Sequence, residues 1–139
     1  MKLQKQPNNW SCILCSLAMV LNIDYSYLID IIGHDGSEIF FPYRIEPYNR
    51  RGFILEEFIS YLYAKHYIVM PFPRTADYAG KQIELIHSPP LHLRGILIYG
   101  SHAVAWSGEK IYDPKGEIYD LITQWDIFWA IERAGFFPF

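Results

Sequence analysis

At 139 residues, 51% of them hydrophobic, the chain fits one domain spanning 1–139 and has ample material for an apolar core, which excludes a disordered polypeptide. A net charge of -3, with no Lys/Arg cluster beyond Arg50 and Arg51, excludes a surface that tracks phosphates, so no nucleic-acid partner is expected. No apolar run approaches the roughly 18 residues that span a bilayer, and Met1-Lys-Leu-Gln-Lys-Gln6 has no apolar signal region; the expectation is a cytoplasmic protein with no membrane partner.

Taken in order, the chain predicts a helix over Cys12 to Leu21, with Leu14, Leu17, Ala18 and Leu21 at helical spacing and Ser11 as its N-cap. Asp24 is placed to cap a second helix, Tyr25 to Ile32, which Gly33 stops. His34 to Glu38 reads as a polar turn, either solvated or a patch or lid beside a groove, and Ile39 to Pro47 as an irregular loop because of its two prolines. Tyr43, Tyr48, Arg50 and Arg51 are candidates to line such a groove. A third helix is expected over Ile54 to Lys65.

Strand formers begin at His66 and run to Phe72, and a short element of uncertain type, Gln82 to Ile86, sits among turn residues. Arg94 to Tyr99, His102 to Trp106 and Ile111 to Asp113 then form three strands with tight turns, and Glu117 to Asp120 a fourth. Thr123 is expected to cap a final helix, Gln124 to Arg133. Helices first and sheet second give an α+β domain in which N-terminal helices pack on a C-terminal antiparallel sheet.

The chemistry sits at the ends of these elements. Cys12 opens a helix, where the positive end of the dipole favours a thiolate. With Ser107 to Lys110 as a hairpin loop, Val104 lies opposite Asp113, and His102 is its diagonal neighbour at roughly 7 Å between backbones, a gap an imidazole and a carboxylate can bridge. Gln6, six residues before Cys12, offers a side-chain amide to an oxyanion beside the Cys12 N–H. Together these are the parts of a cysteine hydrolase: nucleophile, base, orienter and oxyanion donor. Asn8, Asn9 and Trp10 are candidates to support the turn between Gln6 and Cys12.

Gln6, five intervening residues, Cys12, then Leu17-Ala-Met19, a later His102-x-Val and Asp113-Pro resemble the papain-fold cysteine peptidases that process bacteriocin leaders after a double glycine. The resemblance covers nearly the whole chain in length and element order. The spacing from Cys12 to Met19 selects Cys12 over Cys15 as the nucleophile. What the resemblance implies is a papain-like fold of stand-alone bacterial or phage type and a thiol protease acting on a peptide or protein substrate without a cofactor. In it Gln6 is the oxyanion donor, Cys12 the nucleophile, His102 the base and acid, and Asp113 the orienter. Ser11 and Ile13 stand where the family usually has an acidic residue and a glycine, and the leader-peptide specificity is not carried over.

Other readings of the same residues are a catalytically silent protein-binding module using a papain-like groove, or an amidase, deamidase or acyltransferase with the same triad. Cys12 and Cys15 also suggest a thioredoxin-like pair, but the polar segment before them supplies no strand. The two thiols are expected to be free, since a disulfide between them closes only a tiny loop. His87 and His92 lack the paired spacing of a zinc site, so no metal is expected.

Overall fold

In the computed structural model, which describes residues 1–38, 51–84, 92–120 and 125–135, the last apolar run is a strand and not the expected helix. Ile127–Arg133 (β8) lies inside a six-stranded sheet between β1, Tyr67–Pro73, and β4, Gly95–Tyr99. Of its residues Ile-Phe-Trp-Ala-Ile, all but Ala130 are β-branched or aromatic, and they fit a pleated surface packed on both sides. The proposed cap Thr123 and the first helical residue Gln124 lie outside the described residues.

The sheet order is β1-β8-β4-β5-β6-β7, with every neighbour antiparallel; β5 is His102–Trp106, β6 Ile111–Asp113 and β7 Glu117–Tyr119. The four-strand meander therefore forms as expected, and the register Ala105 to Tyr112 and Trp106 to Ile111, continued one step, sets Val104 beside Asp113. β1 also forms where strand formers predict it. Of the element of uncertain type, Gln82 to Glu84 belong to β3 (Lys81–Glu84), which forms a separate hairpin with β2 (Thr75–Tyr78), turned at Ala79 and Gly80 with φ of 51° and 77°; Leu85 and Ile86 lie outside the described residues. An alanine in the left-handed region carries no turn signal in sequence, which is why this hairpin is illegible there.

The first two helices keep their expected bounds. α1, Cys12–Leu21, and α2, Tyr25–Ile32, are separated by Asn22 in the left-handed region, and Asp24 caps α2 by accepting the Ser26 N–H at 2.9 Å. The third begins differently: Leu55–Phe58 is a 3-10 turn that continues into α3, Ile59–Ala64. Glu57 reaches back to the Ile54 N–H at 2.9 Å and satisfies that end of the segment. Ile39 to Pro47, Tyr43, Tyr48 and Arg50 lie outside the described residues. Among the described residues no single helix is long and apolar enough to cross a membrane.

Two core clusters explain the layering. Leu14, Leu17 and Ala18 of α1 join Ile96, Ala103 and Ala105 on one face of the sheet, while Leu97, Val104, Trp106, Ile111 and Phe128 fill the other. The small side chains of Ala103 and Ala105 let α1 lie close on β5, which brings the N-terminal end of the helix to the start of that strand. The molecule is thus a mixed α+β structure with a helix laid on an antiparallel sheet.

Candidate functional site

The α1 N-terminus is built by Asn8. Its side-chain oxygen accepts the Ser11 hydroxyl at 2.6 Å and the Trp10 N–H at 3.2 Å, which folds the segment into a turn. Ser11 occupies the N-cap position but makes no side-chain cap bond, because its buried hydroxyl is spent on Asn8. The expected capping role therefore fails, and the sulfur of Cys12 lies against the uncapped N–H groups of Cys12 and Ile13.

Cys12 also meets the beginning of β5. Its sulfur is 3.7 Å from the Ser101 carbonyl and within reach of the Ala103 N–H, so it touches the backbone on both sides of His102. The resting thiol donates to Ser101. Burial pushes the Cys12 thiol above its ordinary value, and the N–H groups of Ala103, Ile13 and Cys12 oppose this without cancelling it; the Asp113 charge adds to the rise. The resting sulfur is thus a thiol and not the thiolate that the helix dipole alone would suggest. Cys15 lies one turn deeper, fully buried, with its thiol pushed up to about 12 by desolvation first and by Cys12 and Asp24 second. Both cysteines are free.

His102 and Asp113 meet as their register requires: His102 Nε2 lies 2.9 Å from Asp113 Oδ1. The same carboxylate oxygen accepts the Lys115 N–H at 2.9 Å, and the other, Oδ2, accepts the Tyr119 hydroxyl at 2.7 Å. With Nε2 committed to a carboxylate, Nδ1 is the ring nitrogen left to accept a proton. The Tyr99 ring sits edge-on to the imidazole at 5.5 Å between centroids. Gly100 turns the chain into β5 with φ 55°, and its N–H is held at 2.8 Å by Asp126 Oδ2.

Burial acts to raise the Asp113 pKa, but the Lys115 N–H, the Tyr119 hydroxyl and His102 outweigh it, and the carboxyl lies below the usual carboxylate range. A depressed folded value means that the stability contributed by Asp113 is complete above about pH 4 and is lost as pH falls through that lower value. Thermal unfolding temperatures recorded from about pH 6 down to about pH 2 are expected to fall more steeply below about pH 4 in the wild type than in Asp113→Asn. Parallel curves would remove the carboxylate from this role.

Gln6 ties the two halves together without touching the sulfur through any of its hydrogen bonds. Its backbone N–H donates to the Pro114 carbonyl at 2.7 Å, beside Asp113, while its side-chain Nε2 donates to the Asn8 carbonyl at 2.7 Å. The amide oxygen is buried and has no hydrogen-bond partner among the described residues. Tyr99, Tyr119 and Asp126 also enter the site. Two of them had a signal in the sequence: the tight turn between β4 and β5 pairs Tyr99 directly with His102, and a β6–β7 hairpin pairing Asp113 with Glu117 puts Tyr119, two further on, at a diagonal to the carboxylate.

The polar turn after α2 is clamped onto the approach to Cys12. Trp10 Nε1 donates to the Asp35 carbonyl at 3.0 Å, Arg51 lies over the Trp10 ring at 5.2 Å, and Gly52 N–H donates to the Gly36 carbonyl at 2.9 Å. His34 stacks on Phe53 at 4.9 Å and pairs with Glu57 through Nε2, while its Nδ1 accepts the Gly36 N–H at 3.1 Å. Gly36 is required here, because a Cβ would meet Phe53 at 2.7 Å. Replacing Trp10 by alanine is expected to loosen this clamp and cost roughly 2–3 kcal/mol, measured by denaturant unfolding; a change under about 0.5 kcal/mol would contradict it.

Among the described residues no group of three or more His, Cys, Asp or Glu is placed to hold a metal ion; His87 lies outside the described residues. No family model matches the chain, and neither does any curated protein or solved structure at a significant level.

Proposed function

We propose that the protein is a thiol hydrolase of papain-like fold that cleaves a peptide or isopeptide bond through an acyl-enzyme on Cys12. The observation that carries this reading is the His102–Asp113 pair at 2.9 Å, with the Cys12 sulfur against the residues on either side of His102. Because the resting sulfur is protonated, the base must act during attack. The S–H proton passes to His102 Nδ1, sulfur bonds to the acyl carbon, and the imidazolium, steadied by Asp113 through Nε2, returns that proton to the leaving amine. The α1 N–H groups beside the sulfur, with the Gln6 amide, are the proposed donors to the oxyanion.

Water then releases the acid, or an amine takes the acyl group; an amidase, deamidase or acyltransferase would share every step up to the thioester. The substrate class follows from the electrophile that a thiol of this kind attacks, an acyl carbon in a peptide or protein. Free Cys12 and Cys15 suit the reducing cytoplasm, where we place the protein.

Intact-protein mass spectrometry with chloroacetamide near neutral pH tests the reading. The wild type is expected to gain one adduct, mapped to Cys12, while Cys15 reacts only after unfolding. His102→Ala is expected to slow the reaction by at least about 100-fold. Equal labelling of both proteins, or preferential labelling of Cys15, would sink the proposal and leave a silent binding module as the better account.

A further inference from the structure

We propose that Tyr119 is a positioning residue for this site, one that fixes the tautomer of His102 through Asp113; the inference rests on the thiol reading for its consequence but not for its geometry. Asp113 has two carboxylate oxygens and three donors to satisfy. Oδ1 receives His102 Nε2 and the Lys115 N–H, both at 2.9 Å, and Oδ2 receives the Tyr119 hydroxyl at 2.7 Å. Asp113 is 6% exposed, so water does not readily replace a missing donor.

The direction of each bond matters. A phenol beside a carboxylate is itself held in its protonated form: burial and Asp113 push the Tyr119 pKa up, so it stays a donor over the working range. With Oδ2 occupied, the plane of the carboxylate is set, and Oδ1 is the oxygen presented to the imidazole. That selects the Nε2–H tautomer and leaves Nδ1 unprotonated, the state that can take a proton from Cys12. Without the phenol, Oδ2 loses its donor and the carboxylate is less firmly oriented, so the Nε2–H···Oδ1 bond is less well aligned and the preference for the Nε2–H tautomer is weakened. The Lys115 N–H restrains Oδ1 but leaves Oδ2 without a donor, so it holds the carboxylate at one oxygen where the wild type holds it at both.

The placement of Tyr119 also follows from the sheet. Asp113 pairs with Glu117 and Ile111 with Tyr119, so Tyr119 lies diagonal to Asp113 on β7, as His102 does on β5. Three side chains on three successive strands thus form one row, from phenol to carboxylate to imidazole, ending beside the sulfur at the start of α1.

The test is long-range proton–nitrogen NMR of the His102 ring in the wild type and in Tyr119→Phe, with the chloroacetamide rate of Cys12 read in parallel. In the wild type the neutral ring is expected to show protonated Nε2 and bare Nδ1. In Tyr119→Phe the two nitrogen shifts are expected to move toward each other and the rate to fall about tenfold. Wild-type nitrogen shifts in the folded variant overturn the inference whatever the rate. If the thiol reading itself fails, with His102→Ala labelling as fast as the wild type, the NMR comparison still decides the role of Tyr119. Should Tyr119→Phe not fold, 3-fluorotyrosine at position 119 keeps the hydroxyl but makes it a stronger donor: the nitrogen shifts of His102 are expected to move, and their constancy overturns the inference.

Discussion

Replacing Asp113 by alanine is expected to slow alkylation of Cys12 by at least about 100-fold and to destabilise the fold by roughly 2–4 kcal/mol, whereas Asp113→Asn is expected to keep the rate within about tenfold. The alanine removes the acceptor of three donors at once: His102 Nε2, the Lys115 N–H and the Tyr119 hydroxyl. Each is left in a place that water reaches poorly, since Asp113 is buried. Asparagine keeps an oxygen for His102 and Lys115, and the Tyr119 hydroxyl can rotate to accept from the new amide. The contrast separates orientation from charge. Equal losses in both variants would mean that the carboxylate acts through its charge, and the positioning account of His102 would have to be abandoned.

Gly95→Ala is the second substitution with a large expected effect, this time on the fold. Gly95 pairs with Ala130 across β4 and β8, and a Cβ at this position would lie 1.9 Å from the Trp129 carbonyl oxygen and 2.8 Å from the Phe128 ring. The first obstacle is backbone in the middle of a sheet and cannot swing aside as a side-chain end can. A loss of about 3 kcal/mol or more is expected in denaturant unfolding. Were the last apolar run a helix, no such contact would exist, so an unchanged midpoint would refute the pairing of β4 with β8.

Those two substitutions also mark where sequence reasoning works and where it stops. The helix starting at Cys12, the Asp24 cap and Gly33 stop of α2, and the meander from β4 to β7 were legible, because each depends on residues within a few positions of one another. So was the approach of His102 to Asp113, since a short hairpin fixes its own register. The run from Ile127 to Arg133 was not: a short apolar segment fits either period, and what makes it a strand is the pair of edges offered by β1 and β4, one of them some sixty residues away in the chain. The 3-10 start of the third helix likewise depends on Glu57, which is shared between the Ile54 N–H and His34.

At the site the division is similar. Local sequence determined that Cys12 begins a helix, that His102 begins a strand and that Asp113 ends the next one, because helical periodicity, turn and alternation rules act over a few residues. Only the tertiary structure decided that the sulfur rests against Ser101 and Ala103 as a partly buried thiol, that Ser11 spends its hydroxyl on Asn8, and that Tyr119 completes the shell of Asp113. Those outcomes depend on how closely α1 settles on the alanines of β5 and on which donors reach a buried carboxylate. Packing and desolvation are properties of the assembled layers, and no window of sequence contains them.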